Sequence, residues 1–293
     1  MKKTLLQMVL TCMVLGVIFT ANDAAVERGM TEAQTAAVTF GSSDPVKLPV
    51  IMYHSVLKDQ ARAGKYVVSP SSLAADLDYL KDHGYETVTI HDLVRYVDGL
   101  GDLPEKPVML TFDDGHYNNY LYAYPLLKER GMKAVVSVIG KETEQYTESG
   151  QENAYWSYLN MDRLCEISAD GTFEIQNHSY DLHENDARKG ALRMRGESLE
   201  SYRMMLVEDT ERTQKLLIEG GVPTPVCYTY PYGACSRESE EVIKSLGFMC
   251  TMGCEERTNT LRRDDPDCLY RLGRYNRPAG VSAEKFLGKV LEK

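Results

Sequence analysis

The stretch Leu110-Thr111-Phe112-Asp113-Asp114-Gly115 decides how this chain is read. It continues an apolar run, Pro107-Val108-Met109-Leu110, that predicts a short buried strand. Gly115 supplies a turn, and a helical segment follows. Two adjacent carboxylates therefore stand where a strand ends and a loop begins. In α/β folds with parallel strands, that carboxyl end is where active sites are built. Successive strand side chains point to opposite faces, so Asp113 and Asp114 can do different jobs, one facing a substrate and one holding a cation. An isolated Asp-Asp-Gly is ordinarily a surface turn. Partners elsewhere in the chain have to make the case for more.

Outward from this stretch, strands and helices alternate. Residues 50–53 are apolar throughout and deliver His54 at a strand's carboxyl end. Ser69-Pro70 opens a helix as N-cap and first helical residue, with Leu73, Leu77 and Leu80 on one face and Gly84 past its end. Residues 86–90 alternate as a strand and 91–97 form a short helix. After the central strand, a helix containing Pro125 runs to Arg130 and is closed by Gly131. Residues 134–139 read as a strand, 140–158 as a polar, tyrosine-bearing loop, and 161–167 as a helix. A strand over 172–176 ends in Asn177-His178-Ser179. The longest helix spans 197–219. A strand over 226–230 ends in Pro231-Tyr232-Gly233, and Ser236 caps a helix to Leu246. Strands over 248–252 and 270–275 and a helix over 282–291 complete the chain. Such alternation predicts parallel strands with crossover helices. The expected fold class is α/β, a distorted (β/α) barrel of about seven parallel strands.

The N-terminus has a different character. Lys2 and Lys3 precede a mostly apolar stretch over residues 5–19, the pattern of an export signal. The stretch is slightly short of the about 20 apolar residues that span a bilayer. Residues 1–24 are therefore expected to be a signal peptide or an N-terminal membrane anchor. Residues 25–45, without an apolar period, are expected to be a flexible linker. The protein is then secreted or held on the outer face of the cytoplasmic membrane, touching membrane only through this segment.

Composition bounds the rest. The 293 residues are 43% hydrophobic, enough for a proper core. A net charge of -10 argues against nucleic acid or anionic lipid as the main partner. Of the seven cysteines, Cys12 lies in the apolar stretch; the other six, an even number in an exported chain, leave disulfides open with no connectivity to be read, and with no zinc-type spacing they are taken as structural or free. Nineteen tyrosines offer flat faces with a hydroxyl, which suits sugar rings as well as core packing. The oligomeric state is not legible.

Five pieces fall at or just beyond predicted strand ends: His54, Asp113-Asp114, His178 with His183, Tyr232, and Arg274. A barrel would gather them on one face. Asp114, His178 and His183 then offer one carboxylate oxygen and two imidazole nitrogens. That is a three-ligand set with open positions, as catalytic zinc sites have. The two histidines are five positions apart, which is not one face of a helix, so a loop is expected between them. His83 and His91 read as helix-end residues. His116 reads equally as a cleft or a solvated loop residue, and Tyr117, Tyr155, Trp156 and Tyr158 as sugar-stacking or packing residues.

At these residues the chain resembles the polysaccharide deacetylases, the NodB-homology group or carbohydrate esterase family 4. The resemblance covers most of residues 50–277. Thr111-Phe112-Asp113-Asp114-Gly115 matches the family's first motif, His178-Ser179 opens the second, and Tyr230-Pro231-Tyr232-Gly233 resembles the third. It implies a catalytic domain over residues 46–293 acting on a polysaccharide. Asp113 would be the general base, and Asp114, His178 and His183 the ligands of a divalent metal, Zn²⁺ first and Co²⁺ or Ni²⁺ as alternatives. The Tyr232 backbone N–H would help hold the oxyanion.

The sequence departs from the commoner pattern. The histidines are one residue further apart, Thr229-Tyr230 replaces an Arg before the third motif's proline, and Leu272-Gly273-Arg274 stands where a late His would be. These changes look like the subgroup that deacetylates poly-β-1,6-N-acetylglucosamine, whose catalytic histidine comes from an early Met-Tyr-His stretch. Met52-Tyr53-His54 matches it. Arg274 is expected to partner Asp113, with a structural salt bridge as the plainer reading.

Hydrolysing an acetamide needs an activated water and a polarised carbonyl, and a divalent cation beside a base does both. The expected activity is metal-dependent removal of N-acetyl groups from an extracellular N-acetylglucosamine polymer. The alternatives are an O-acetyl esterase on xylan-like glycans and a glycan-binding module with a vestigial site. Phosphoryl transfer is disfavoured because no phosphate-cradling Gly-rich loop is present.

Overall fold

The computed structural model describes residues 44–183 and 188–292. The expected signal or anchor over 1–24 and nearly all of the linker over 25–45 lie outside the described residues. Seven parallel strands form the central sheet: β1 Val50–Tyr53, β2 Pro107–Phe112, β3 Ala134–Val138, β4 Phe173–Asn177, β5 Cys227–Thr229, β6 Cys250–Met252 and β7 Tyr275–Asn276. Their order is β6-β5-β4-β3-β2-β1-β7, and Glu86–Thr87 pairs beside the start of β2. One segment connects the two edges. Leu272 donates its N–H to the Thr251 carbonyl (2.8 Å) and accepts from Gly253 (3.0 Å), while β7, three residues on, pairs with β1. The sheet is therefore curled as expected for a barrel of this class.

Side-chain alternation sorts the core into two layers. Val108, Leu110 and Phe112 of β2 pack outward with Leu73, Leu77 and Leu80 of the helix α1, Pro70–Asp82. Met109 packs inward with Val50, Val135, Cys227 and Cys250. Continuing the period, Thr111 and Asp113 fall on the inner face at the carboxyl end of β2. Because Tyr53 pairs with Phe112, His54 arrives beside Asp113. Strand register alone thus brings two expected site residues together.

Helix ends follow local chemistry. Ser69 accepts the Ser72 N–H (3.0 Å) with Pro70 in the first turn, and Gly84 has φ +73° beyond the end of α1. The next helix, α2, spans Ile90–Val97, so the preceding strand is only Glu86–Thr87 and shorter than the alternation predicts. The cause is a cap: the Asp92 carboxylate accepts the Thr89 N–H (2.9 Å) and starts the helix one residue earlier. After α3, Tyr124–Arg130, a second correction concerns residues 140–158. The expected loop contains the helix α4, Gly140–Ser149. Its sequence is polar and carries no apolar stripe. The helix is placed instead by its N-terminal N–H groups, which donate to the Ser179 and Tyr180 carbonyls (2.9 and 3.1 Å). The helices α5 Met161–Ala169, α6 Leu199–Glu219, α7 Arg237–Ser245 and α8 Ala283–Leu291 complete the outer layer. The last strand also differs, lying at Tyr275–Asn276 rather than over 270–275. No helix of the described residues is long and apolar enough to cross a membrane. The six cysteines among the described residues are free thiols.

A buried ion pair ties three elements. Arg277, just beyond β7, donates Nε and Nη2 to the Asp76 carboxylate of α1 (2.8 and 2.9 Å), and Tyr53 at the end of β1 donates its hydroxyl to the same group (2.9 Å). Arg277→Ala would leave a buried carboxylate without its cation, at a cost of about 3–5 kcal/mol. Urea unfolding measures this. A loss of about 1 kcal/mol or less, typical of an exposed pair, would contradict the assignment.

Candidate active site

Beyond the ends of the central parallel strands, three residues adopt the left-handed backbone region although none is glycine: Asp114 (φ +71°), Ser179 (φ +71°) and Tyr232 (φ +60°). Each such conformation costs of order 1–3 kcal/mol and persists only where the surroundings impose it. Alternation would send the Asp114 side chain to the outer face; the left-handed turn breaks it and brings the carboxylate to His178 and His183 instead. Gly115 follows with φ +77°, and a Cβ there would meet Val138 Cγ1 at 2.8 Å.

Asp114, His178 and His183 come together, with one ligand atom from each lying within 4.8 Å of the others. His178 Nε2 is 3.5 Å and His183 Nε2 3.4 Å from Asp114 Oδ1. Oδ1 is buried yet accepts no hydrogen bond. The other side of His178 is fixed, its Nδ1 lying 2.7 Å from the Thr229 carbonyl. That contact makes Nδ1 the protonated nitrogen and leaves the Nε2 lone pair facing Asp114. An orphaned carboxylate oxygen facing two imidazole nitrogens fits a divalent cation. His183 is also held from behind. The Tyr232 ring lies 4.6 Å from its ring, and the Tyr232 hydroxyl donates to its carbonyl oxygen.

Asp113 is gripped differently. Arg274 Nη1 and Nη2 donate to its two oxygens (2.6 and 2.8 Å), while Arg274 Nε donates to the Gly253 carbonyl (2.7 Å). Both side chains are buried, Arg274 completely. His54 Nε2 lies 3.9 Å from Asp113 Oδ2, and the Tyr66 ring packs 4.6 Å from the His54 ring. All seven residues singled out in the sequence therefore meet at one end of the barrel. His83 and His91 do not join them. His83 stacks on Tyr79 at the end of α1, and His91 pairs with Glu174 near the amino end of β4 (3.0 Å).

The sequence left His116 open and gave no sign of Tyr66. His116 Nε2 lies 3.3 Å from Asp114 Oδ2, the oxygen other than the one that His178 and His183 approach. Its ring packs 4.9 Å from that of Tyr158. A histidine two residues after the second carboxylate was the only available signal, and it acquires meaning because the left-handed Asp114-Gly115 turn folds the chain back. Tyr155 and Trp156 are exposed nearby in sequence, whereas Tyr117 is buried.

Charge assigns the protonation states. Burial pushes the Asp113 carboxyl up, but the charges of Arg274 and His178 and the Arg274 hydrogen bonds outweigh it and hold Asp113 below its ordinary value. Burial is likewise outweighed at Asp114, where the neighbouring imidazoles of His116 and His178 hold the carboxyl well below the ordinary range. His178 is raised because Asp114 and Asp113 overcome its burial. For His54 and His183 burial dominates and lowers both. The site thus holds two ionised carboxylates with distinct partners: one carries an arginine, and the other offers a free oxygen to two imidazoles.

The sequence and the fold have known counterparts. The polysaccharide deacetylase family profile matches residues 100–251, and the chain belongs to that family. It is 27% identical over 242 residues to the YxkH protein of Bacillus subtilis (strain 168), covering 83% of this chain and 75% of that one. It is 25% identical over 218 residues to the poly-beta-1,6-N-acetyl-D-glucosamine N-deacetylase of Escherichia coli (strain K12), covering 68% of this chain but 32% of the longer relative. The structure of IcaB from Ammonifex degensii superposes with a TM-score of 0.66 at 28% identity, covering 80% of this chain and 92% of that one.

Gly115→Ala is expected to destabilise the protein by about 1–3 kcal/mol, because its Cβ would overlap Val138 at an unfavourable φ. Thermal unfolding measures it. An unchanged midpoint would show that the turn relaxes freely.

Proposed function

We propose that the chain is a divalent-metal-dependent N-deacetylase of an extracellular N-acetylglucosamine-containing polysaccharide, releasing acetate. The observation that carries this reading is the pair of carboxylates on one turn: Asp113 held ionised by Arg274, and Asp114 turning an unshared oxygen to His178 and His183. The polymer follows from the likeness to the Escherichia coli N-deacetylase and from the Met52-Tyr53-His54 stretch. Export follows from the basic and apolar N-terminal sequence.

A divalent cation held by Asp114, His178 and His183 would supply Lewis-acid polarisation of the acetyl carbonyl and acidification of water. One carboxylate oxygen with two imidazole nitrogens suits Zn²⁺, with Co²⁺ or Ni²⁺ as alternatives. Asp113 accepts the proton of the attacking water. Arg274 acts through Asp113, fixing its plane and keeping it charged in a buried setting. The backbone N–H of Tyr232 donates to the developing oxyanion. His54 delivers a proton to the leaving amine. Because burial lowers its affinity for protons, the charged imidazole gives its proton up readily, and Asp113 beside it favours charging. No covalent intermediate is required.

Acetate release from N-acetylglucosamine oligomers is expected to stop with a chelator and to return with Zn²⁺ or Co²⁺. Release only from O-acetylated xylan-type sugars would replace this reading by an O-acetyl esterase. His54→Ala is expected to lower kcat by about 10²–10⁴-fold while metal content is kept. An unchanged kcat would remove His54 from the machinery.

A further inference from the structure

The two ligand histidines bracket Ser179-Tyr180-Asp181-Leu182, and each N–H of this stretch has an acceptor. Ser179 donates to Asn177 Oδ1 (2.8 Å) and Leu182 to Ser179 Oγ (3.3 Å). The two between them, Tyr180 and Asp181, donate to Oδ1 and Oδ2 of Asp209 (2.9 and 2.8 Å). Asp209 lies inside α6, a helix that supplies none of the site residues described above. An aspartate is a poor residue for a helix interior, so the helix itself gives no reason for it. The side chain is partly buried, and that burial pushes its carboxyl up to about 6 against the pull of the two N–H groups. What the carboxylate does is close a two-donor concavity made by consecutive backbone N–H groups after the left-handed Ser179.

The far side of the same loop is equally constrained. The N-terminus of α4 donates to its carbonyls. Gly140 makes that approach feasible, because a Cβ there would lie 2.4 Å from Thr213 Oγ1 of α6 and 2.9 Å from the Tyr180 ring. The loop is thus moulded between α4 and α6: Glu144 of α4 accepts the Tyr180 hydroxyl, and Asp209 of α6 is the carboxylate that takes the loop's backbone N–H groups.

We infer that Asp209 is a positioning residue that shapes the widened His178–His183 loop and thereby sets His183 against Asp114. The inference rests on the reading of Asp114, His178 and His183 as metal ligands. It accounts for the five-residue spacing, since the loop between the histidines presents two adjacent N–H groups to one carboxylate.

The test is a Co²⁺ titration of the wild type, Asp209→Ala, Asp209→Asn and, as a control on the same helix, Glu208→Ala, following the visible absorption of the bound ion. Circular dichroism checks that each is folded. Asp209→Ala is expected to bind Co²⁺ at least ~10-fold more weakly and to show an altered spectrum at saturation, as loss of support behind a ligand does. Asp209→Asn keeps one acceptor oxygen, should be intermediate, and carries the test if the alanine variant does not fold. Glu208→Ala should match the wild type. A folded Asp209 variant with wild-type affinity and spectrum would overturn this inference alone. A wild-type protein that takes up no Co²⁺ would overturn the ligand reading and this inference together.

Discussion

The Arg274–Asp113 pair is the constraint on which the site depends. Arg274 belongs to the segment between Leu272 and β7 that meets both edges of the curled sheet, and Asp113 directly follows β2, an interior strand. Their two-pronged contact therefore joins the closing segment to the middle of the sheet. Taking both charges out of water is costly unless geometry and further hydrogen bonds compensate. Arg274 meets that condition by also donating to Gly253 and Thr111. The same contact that closes the architecture keeps a carboxylate ionised at the mouth of the barrel.

Geometry around this pair follows from two simple rules and three exceptions to them. Alternation along β2 puts Thr111 and Asp113 on the inner face, and parallel register puts His54 next to Asp113. The exceptions are the left-handed residues Asp114, Ser179 and Tyr232. Each departs from regular backbone at a strand end, and each involves a residue of the candidate site or its neighbour. Regular structure sets the distance between strand ends, and the local strain redirects what stands on them.

Much of this was legible in the sequence because it is written locally. The apolar run before Asp113, the Ser69-Pro70 helix start and the strand ending in His178 are each specified within a few residues. What was not legible depends on partners far away in the chain. The helix α4 has no apolar stripe and is set by carbonyls at Ser179 and Tyr180. The position of β7 is decided by the edge of β1, which a strand pattern over 270–275 does not encode. Asp209 reads as one charge among many on α6 until the loop it holds is seen. His116 acquires a meaning only once the Asp114-Gly115 turn brings its ring to the second oxygen of Asp114.

The central claim is a division of labour between two adjacent carboxylates, one for chemistry and one for the cation. The most direct measurement is the metal content of purified Asp113→Asn and Asp114→Ala, taken beside their deacetylase activity. The account predicts that Asp113→Asn keeps its metal and loses turnover, whereas Asp114→Ala loses both. Metal retained in Asp114→Ala, or lost from Asp113→Asn while the protein stays folded, would contradict it.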